Sequence, residues 1–175
     1  VGNGLEEGSQ LGPIQNLPQY KRVVSHFEDA HANNYKFVLG GDINPNPTNG
    51  LYVPISIIDN PPEDSKIVRE EPFGPIVPLL KWNDEKDVVR RANDTTWGLA
   101  ASVWGKDAET VERIALQLQA GTVSMNQFIP WATETSFGGH KQSGLGVEGG
   151  VNGLKAYSNP QIVTLKKDAV LTAAA

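Results

Sequence analysis

The chain has 175 residues, 39% of them hydrophobic and 20% charged, a composition typical of one folded globular domain with at most a short appendage. The net charge of −5 argues against a nucleic-acid-binding face and against attraction to an anionic membrane surface. The chain contains no cysteine, which excludes disulfides and thiolate metal sites.

The first half of the chain predicts one amphipathic helix and two strands. Residues 36–41 read as a short buried strand that ends in glycines. Residues 51–58 are mostly apolar and predict a second strand, in which Pro54 favours an edge position or a bulge. The helix comes first and is indicated by apolar residues at helical spacing: Tyr20, Val23, Val24, Phe27 and Ala30.

The second half alternates regularly between strands and helices. Strands are predicted at 76–80, 99–104 and 122–125, with helices over 83–91 and 107–118 between them. This order implies two right-handed crossovers and a parallel sheet, hence an α/β fold. Beyond residue 128 the chain is rich in glycine and shows neither helical nor strand periodicity. Residues 161–165 then predict a last strand.

A carboxylate and an aromatic ring stand two residues apart in the segment before the strand at 76–80. A carboxylate such as that of Glu71 accepts hydrogen bonds from both hydroxyls of a ribose, and a ring such as that of Phe73 packs against a flat heterocycle. The alternative interpretation is a tight turn that leads into the strand, with Glu71 merely solvated.

Several ordered motifs resemble those of NAD(P)-dependent aldehyde dehydrogenases. The two most specific are Glu-Glu-Pro-Phe-Gly-Pro at 70–75 and Ser-Phe-Gly-Gly-His-Lys-Gln-Ser-Gly at 136–144. Residues 8–14, 93–104 and 121–126 are similar to further stretches of the same family. The resemblance runs from about residue 1 to residue 165 without large gaps.

This resemblance implies part of a catalytic domain, a parallel-sheet sandwich that ends in an oligomerisation strand. We expect the partial catalytic domain to cover residues 1–158 and the strand and tail to cover 159–175. The resemblance also implies NAD(P) as the cofactor of the parent family. Glu71 would contact the nicotinamide ribose and Phe73 the nicotinamide ring.

The loop after residue 126 resembles the segment that forms one wall of the family's substrate funnel. By position, Trp131 and Phe137 are the expected wall residues, with Phe128 nearby, and the implied substrate is an apolar aldehyde or a related small molecule. The alternative is that these rings pack in a core or an interface, the usual place of aromatic side chains. Ser136 stands where the family usually has proline, so the loop is expected to bend differently.

The histidines and the glycine-rich stretch predict no separate site. His140 is expected to pack structurally, and His26 and His31 are expected to be exposed on the first helix without a role. The spacing of the three histidines matches no metal site. Residues 144–149 match a Gly-x-Gly-x-x-Gly pattern but follow no strand, and Val147 replaces the arginine common in the family.

The resemblance also indicates what this stretch of the family does not include. The catalytic cysteine thiolate and most of the NAD(P)-binding domain precede the matching region in the family. We therefore expect a pseudoenzyme that is inactive as a dehydrogenase alone and binds no cofactor tightly. Since one strand edge would be left open, we expect a homo-oligomer, with no nucleic-acid or membrane partner. No signal peptide is visible, and a cytoplasmic location is expected.

Two other functions stay open from the sequence. A short relative could keep the funnel and catalyse a non-redox cyclisation or isomerisation of an apolar carbonyl compound, using Trp131, Phe137, Glu134 and His140. Alternatively, the chain could be a non-catalytic partner that assembles with full-length dehydrogenase subunits through residues 161–165.

Overall fold

The computed structural model describes residues 1–45, 47, 49–129 and 132–166, which belong to two compact units. One unit ends at Asn83 and the other begins at Asp84. The first unit contains five elements in chain order: α1 (Leu17–Ala32), β1 (Phe37–Leu39), β2 (Ser56–Asp59), α2 (Lys66–Arg69) and β3 (Ile76–Leu79).

The predicted amphipathic helix is confirmed as α1. The side chain of Asn16 caps its first turn by accepting a hydrogen bond from the backbone N–H of Gln19 at 2.8 Å. Pro18 lies in that first turn, where its missing N–H costs nothing. The backbone then turns at Asn34, which has a φ of 56°, and leads into β1.

The core of the first unit is the apolar stripe of α1 packed against the sheet and α2. Phe27 is fully buried, and its ring stacks on that of Phe37 with centroids 5.9 Å apart. The buried members of this cluster are Tyr20, Val23, Val24, Phe27, Ala30, Val53, Ile58, Ile67 and Ile76.

The sheet of the first unit corrects three predictions. β2 is its central strand, antiparallel to β1 and parallel to β3, so the edge position predicted from Pro54 is wrong. Pro54 precedes the paired residues and therefore removes no hydrogen bond from the ladder. The strand predicted as buried is the edge strand β1, whose Val38 and Leu39 are half exposed. β3 pairs with β2 and not with the strand that follows it along the chain.

His26 is the clearest departure from expectation on α1. It was expected to be exposed, but only 1% of it is accessible. The helical wheel explains the result, because His26 stands three residues after Val23 and four before Ala30, at the margin of the apolar stripe. His31 is exposed as expected, and its Nε2 lies 2.8 Å from the carbonyl oxygen of Gly41.

The second unit holds a parallel strand pair joined by a helical crossover. β4 and β5 pair in parallel, and α4 packs on both strands through Val111, Ile114 and Ala115. The α/β fold class with parallel strand pairing is thus confirmed, although β3 does not join this pair as predicted. The elements are α3 (Glu85–Asn93), β4 (Ala100–Val103), α4 (Ala108–Ala115), β5 (Thr122–Met125) and α5 (Gly150–Lys155).

Aspartates begin the first two helices of the second unit. Asp84 caps α3 and Asp107 caps α4, each accepting a hydrogen bond from the backbone N–H three residues on. A bidentate ion pair joins the helices, with Arg113 Nε and Nη2 2.9 and 2.8 Å from the carboxylate of Glu85. The Arg113 hydrogen bond holds the pKa of Glu85 below its ordinary value.

Residues 161–166 form no strand in the single chain. Their apolar side chains are exposed, with Ile162 at 88% and Val163 at 83% accessibility. A strand requires a hydrogen-bonding neighbour, so the predicted pairing with another subunit stays a prediction. Residues 167–175 of the predicted tail lie outside the described residues. None of the described helices is both long and apolar enough to cross a membrane.

Candidate functional site

The turn at residues 71–75 presents Glu71 and Phe73 to solvent. Phe73 has a φ of 48°, and the residue is 69% accessible. The left-handed backbone at a non-glycine residue is rare and must be held in place by its surroundings. The side-chain amide of Gln19 provides one such restraint, because its Nε2 donates to the carbonyl oxygens of Pro72 at 2.8 Å and Phe73 at 3.3 Å.

Close packing against α1 provides the second restraint. A Cβ added to Gly74 would stand 2.6 Å from Cγ2 of Val23, which is fully buried, so only glycine fits there. The carbonyl oxygen of Pro75 accepts a hydrogen bond from the N–H of Ser56 at 2.8 Å, which ties the turn to β2. Helix and sheet together therefore hold one exposed carboxylate and one exposed ring in a fixed turn.

The expected funnel residues lie in the second unit. Phe128 is 84% accessible, and its ring meets that of Trp104 edge to face with centroids 5.5 Å apart. Asn126 follows β5 and has a φ of 53°. Its side-chain oxygen accepts a hydrogen bond from the N–H of Gly105 at 2.8 Å, which fixes the start of this loop. Trp131 lies outside the described residues.

Phe137 is half buried and belongs to a folded glycine-rich loop. Its N–H and carbonyl each bond to Glu148 at 2.8 Å, which closes an isolated antiparallel bridge. The next residue packs against the start of β5, since a Cβ added to Gly121 would overlap the carbonyl oxygen of Gly138. Glycine at 121 thus allows the two backbones to touch, a reason that spacing alone did not reveal.

His140 and Lys141 contribute backbone and side-chain bonds that secure the same loop. The N–H of His140 donates to the carbonyl oxygen of Gly98 at 2.8 Å, and its side chain is exposed. Lys141 Nζ donates to the carbonyl oxygens of Asn93 at 2.8 Å and Thr95 at 3.1 Å. The histidine thus lies in a structural segment, and the lysine holds the end of α3, a role that the sequence did not indicate.

The structure therefore assigns the predicted residues to two places. Glu71 and Phe73 share one turn of the first unit, while Phe128 and Phe137 belong to the second. Sequence reasoning missed Gln19, although its position on the first turn of a predicted helix is a signal that a side-chain amide can reach a neighbouring loop. Within the described ranges, no three His, Asp or Glu side chains are grouped as a metal site requires.

The second unit also contains an open cavity of about 520 Å³ that the sequence did not predict. Glu134, named above for a non-redox reaction, lies at its rim and is exposed. The cavity is also lined by Thr133, which precedes Glu134, and by residues in and next to α5: Gly149, Gly150, Val151, Gly153, Leu154 and Tyr157.

Comparison with known proteins gives one consistent family. The model of the aldehyde dehydrogenase family matches residues 1–163. Among curated relatives, human 4-trimethylaminobutyraldehyde dehydrogenase is 36% identical over 170 residues, covering 95% of this chain. Betaine aldehyde dehydrogenase of Bacillus subtilis is 37% identical over 160 residues, covering 90% of this chain.

Solved structures agree with the sequence comparison. Betaine aldehyde dehydrogenase of Staphylococcus aureus superposes with a TM-score of 0.82 at 32% identity over 93% of this chain. The NAD+ complex of an aldehyde dehydrogenase from Bacillus cereus gives 0.84 at 34% identity over 90% of this chain. The chain covers only 34% and 32% of these two structures, and 34% and 33% of the human and B. subtilis relatives. It therefore spans about a third of their length, as expected for a partial domain, and it belongs to the aldehyde dehydrogenase family.

Proposed function

We propose that this chain supplies the nicotinamide-ribose contacts and one wall of the substrate funnel of an NAD(P)-dependent aldehyde dehydrogenase, and that it does not oxidise aldehydes by itself. The observation that carries the proposal is the turn at residues 71–75, in which Glu71 and Phe73 are exposed while Gln19 and Gly74 hold the backbone.

The residues of this turn fit a nicotinamide ribose. An exposed carboxylate accepts hydrogen bonds from two neighbouring hydroxyls, and an exposed phenyl ring offers a flat apolar surface to a heterocycle. Glu71 and Phe73 would hold the nicotinamide end of NAD(P), which supplies a hydride acceptor in the parent family. The relative from Bacillus cereus was solved as an NAD+ complex, which supports a nicotinamide cofactor for the parent family.

Phe128 and Phe137 support a wall that contacts an apolar aldehyde or a related small molecule. Phe128 projects an accessible ring from the loop after β5, and the bridge to Glu148 holds Phe137 in place. Trp131, the third wall residue of the proposal, lies between these two in the chain and outside the described residues. Aromatic side chains combine large contact area with few rotatable bonds, which suits them to shape a substrate passage.

The chain alone is expected to produce no NADH or NADPH from any of a panel of aldehydes. The ancestral reaction requires a cysteine thiolate to attack the carbonyl carbon, and this chain has no cysteine. Loss of a covalent nucleophile costs on the order of 10⁶-fold in rate. Nicotinamide absorbance checks this, with a full-length aldehyde dehydrogenase as the positive control. Carboxylic acid formed by the purified chain would contradict the predicted inactivity.

The ribose contact is tested on the same samples by saturation-transfer NMR with NAD+. We expect weak transfer to nicotinamide-ribose protons, reduced by Glu71→Gln and by Phe73→Ala. Glu7→Gln is the matched control, because Glu7 is also an exposed carboxylate but stands far from the turn in sequence. Transfer that Glu71→Gln and Phe73→Ala leave unchanged would show that the cofactor is held elsewhere.

We also propose that the chain associates with copies of itself through residues 161–165. The exposure of the apolar side chains in this segment favours such a role in assembly. Ile162, Val163 and Leu165 are between 63% and 88% accessible and follow one another along an unpaired segment. Light scattering at micromolar concentration should show a dimer or larger species. Val163→Asp should shift it towards monomer, whereas Leu5→Asp, at an equally exposed site, should not. A wild-type monomer would contradict this proposal.

A further inference from the structure

Burial of the polar imidazole of His26 on α1 carries a free-energy cost. It is 1% accessible, and neither ring nitrogen has a hydrogen-bond partner among the described residues. A buried imidazole without partners is tolerated when neutral, but a proton on it would place a charge in an apolar contact. The funnel and the cofactor turn make no use of this group, so its burial calls for a separate explanation.

The side of α1 that carries His26 is the side that holds the turn at 71–75. Gln19 and Val23 stand seven and three residues before His26, so all three lie on one face of the helix. Gln19 donates to the carbonyl oxygens of Pro72 and Phe73, and Val23 limits residue 74 to glycine.

α1 also contacts α2, which leads directly into the turn. Lys66 of α2 extends back to α1, where its Nζ donates to the hydroxyl of Ser25 at 2.8 Å. The last residue of α2 is Arg69, and Glu70 and Glu71 follow it. Movement of α2 away from α1 would therefore displace Glu71, which lies only two residues after the end of α2.

The charged groups around His26 do not compensate for its burial. Burial is the largest cause that lowers the pKa of His26 from its ordinary value of 6.5, and Lys66 and Arg22 lower it further. Glu70 beside α2 and Asp29 on α1 act in the opposite direction, with less effect than burial. These four groups, two positive and two negative, are the charges that face the imidazole.

We propose that His26 makes the contact between α1 and α2 proton-sensitive, so that protonation of its imidazole loosens α2 and the turn that carries Glu71 and Phe73. The link to cofactor binding rests on the proposed function, whereas the proton-sensitive contact itself does not. In mildly acidic solution the turn would lose its fixed geometry before the rest of the fold.

The direction of the pH effect follows from proton linkage. The unfolded chain binds a proton at His26 with the ordinary pKa of about 6.5, and the folded chain binds it only at lower pH. The contribution of neutral His26 to stability is therefore complete above about pH 6.5 and decreases as the pH falls towards the lower folded-state pKa.

Thermal unfolding of the 175-residue chain between pH 8 and pH 5 tests the proposal, together with the variants His26→Leu and His140→Gln. The Tm of the wild type should fall more steeply on acidification than that of His26→Leu, which has no imidazole to protonate at this position. His140→Gln is the matched control, because His140 is exposed, and it should follow the wild type. Equal pH dependence in wild type and His26→Leu would overturn the proposal.

NMR titration of the wild-type imidazole signals decides the matter if His26→Leu does not fold. The signal of His26 should titrate below the ordinary imidazole pKa of 6.5. A pKa of His26 at or above 6.5 would overturn the proposal. Hydrogen exchange over residues 63–75, corrected for intrinsic rates, should rise on acidification in the wild type. No such rise would refute the link to the turn. None of these measurements uses a cofactor. A failure of the proposed ribose contact can therefore be told apart from a failure of the His26 proposal.

Discussion

Replacement of Phe27 with alanine is expected to lower the free energy of unfolding by about 4 kcal/mol. Phe27 is fully buried at the centre of the first unit, and its ring stacks on that of Phe37 at 5.9 Å. Truncation removes the transfer free energy of the ring and leaves a cavity that the surrounding residues of α1 and β2 fill only in part. Urea unfolding followed by circular dichroism measures the change.

Phe128→Ala is the matched control for this substitution. The same side chain is removed, but Phe128 is 84% accessible and touches only the edge of Trp104 among the rings described. Its loss should change the free energy of unfolding by no more than about 1 kcal/mol. Similar losses in the two variants would show that α1 does not organise the core of the first unit.

Gly121→Ala is expected to disrupt the loop that carries Phe137. The added Cβ would overlap the carbonyl oxygen of Gly138 and stand 2.8 Å from its carbonyl carbon. Both are backbone atoms, so no rotation of a side chain relieves the clash. One of the two segments has to move, at a cost of about 3 kcal/mol or more. The bridge between Phe137 and Glu148 adjoins Gly138 and should weaken with it.

Amide hydrogen exchange at Phe137 and Glu148 measures this effect directly. The N–H of each residue donates to the carbonyl oxygen of the other at 2.8 Å. Gly12→Ala is the control, because nothing lies within 4 Å of a Cβ at that position. It should leave exchange at the bridge unchanged and alter stability by less than about 1 kcal/mol. Unchanged protection of Phe137 in Gly121→Ala would contradict the close contact of the two backbones.

The sequence predicted the helices of this chain better than its strand pairing. The stripe of α1 and the aspartate caps of α3 and α4 depend on residues within one or two turns, so a local pattern contains the necessary information. The pairing partner of β3 cannot be read from such a local pattern, because a strand can pair with a neighbour that comes before or after it in the chain. The short helix α2, which joins β2 to β3, has only four residues and too little periodicity to be recognised.

The candidate site shows the same division. Its carboxylate and ring were identified from a motif, whereas the hydrogen bonds that hold them come from Gln19, more than fifty residues earlier in the chain. Likewise, His26 was expected to be exposed, but it is buried. Its burial arises only when α1 packs within the folded unit.

The amino-acid sequence alone determined the family, the α/β class, the lack of a thiol nucleophile and the two residues proposed to meet the nicotinamide ribose. Each of these depends on residue type and order along the chain. Only the tertiary structure decided that Gln19 and Gly74 fix the turn and that the backbone of Gly138 packs against Gly121. It also decided that His26 is buried with no hydrogen-bond partner among the residues that the structure describes. Those facts depend on distances between residues far apart in the chain, which arise only when the core forms.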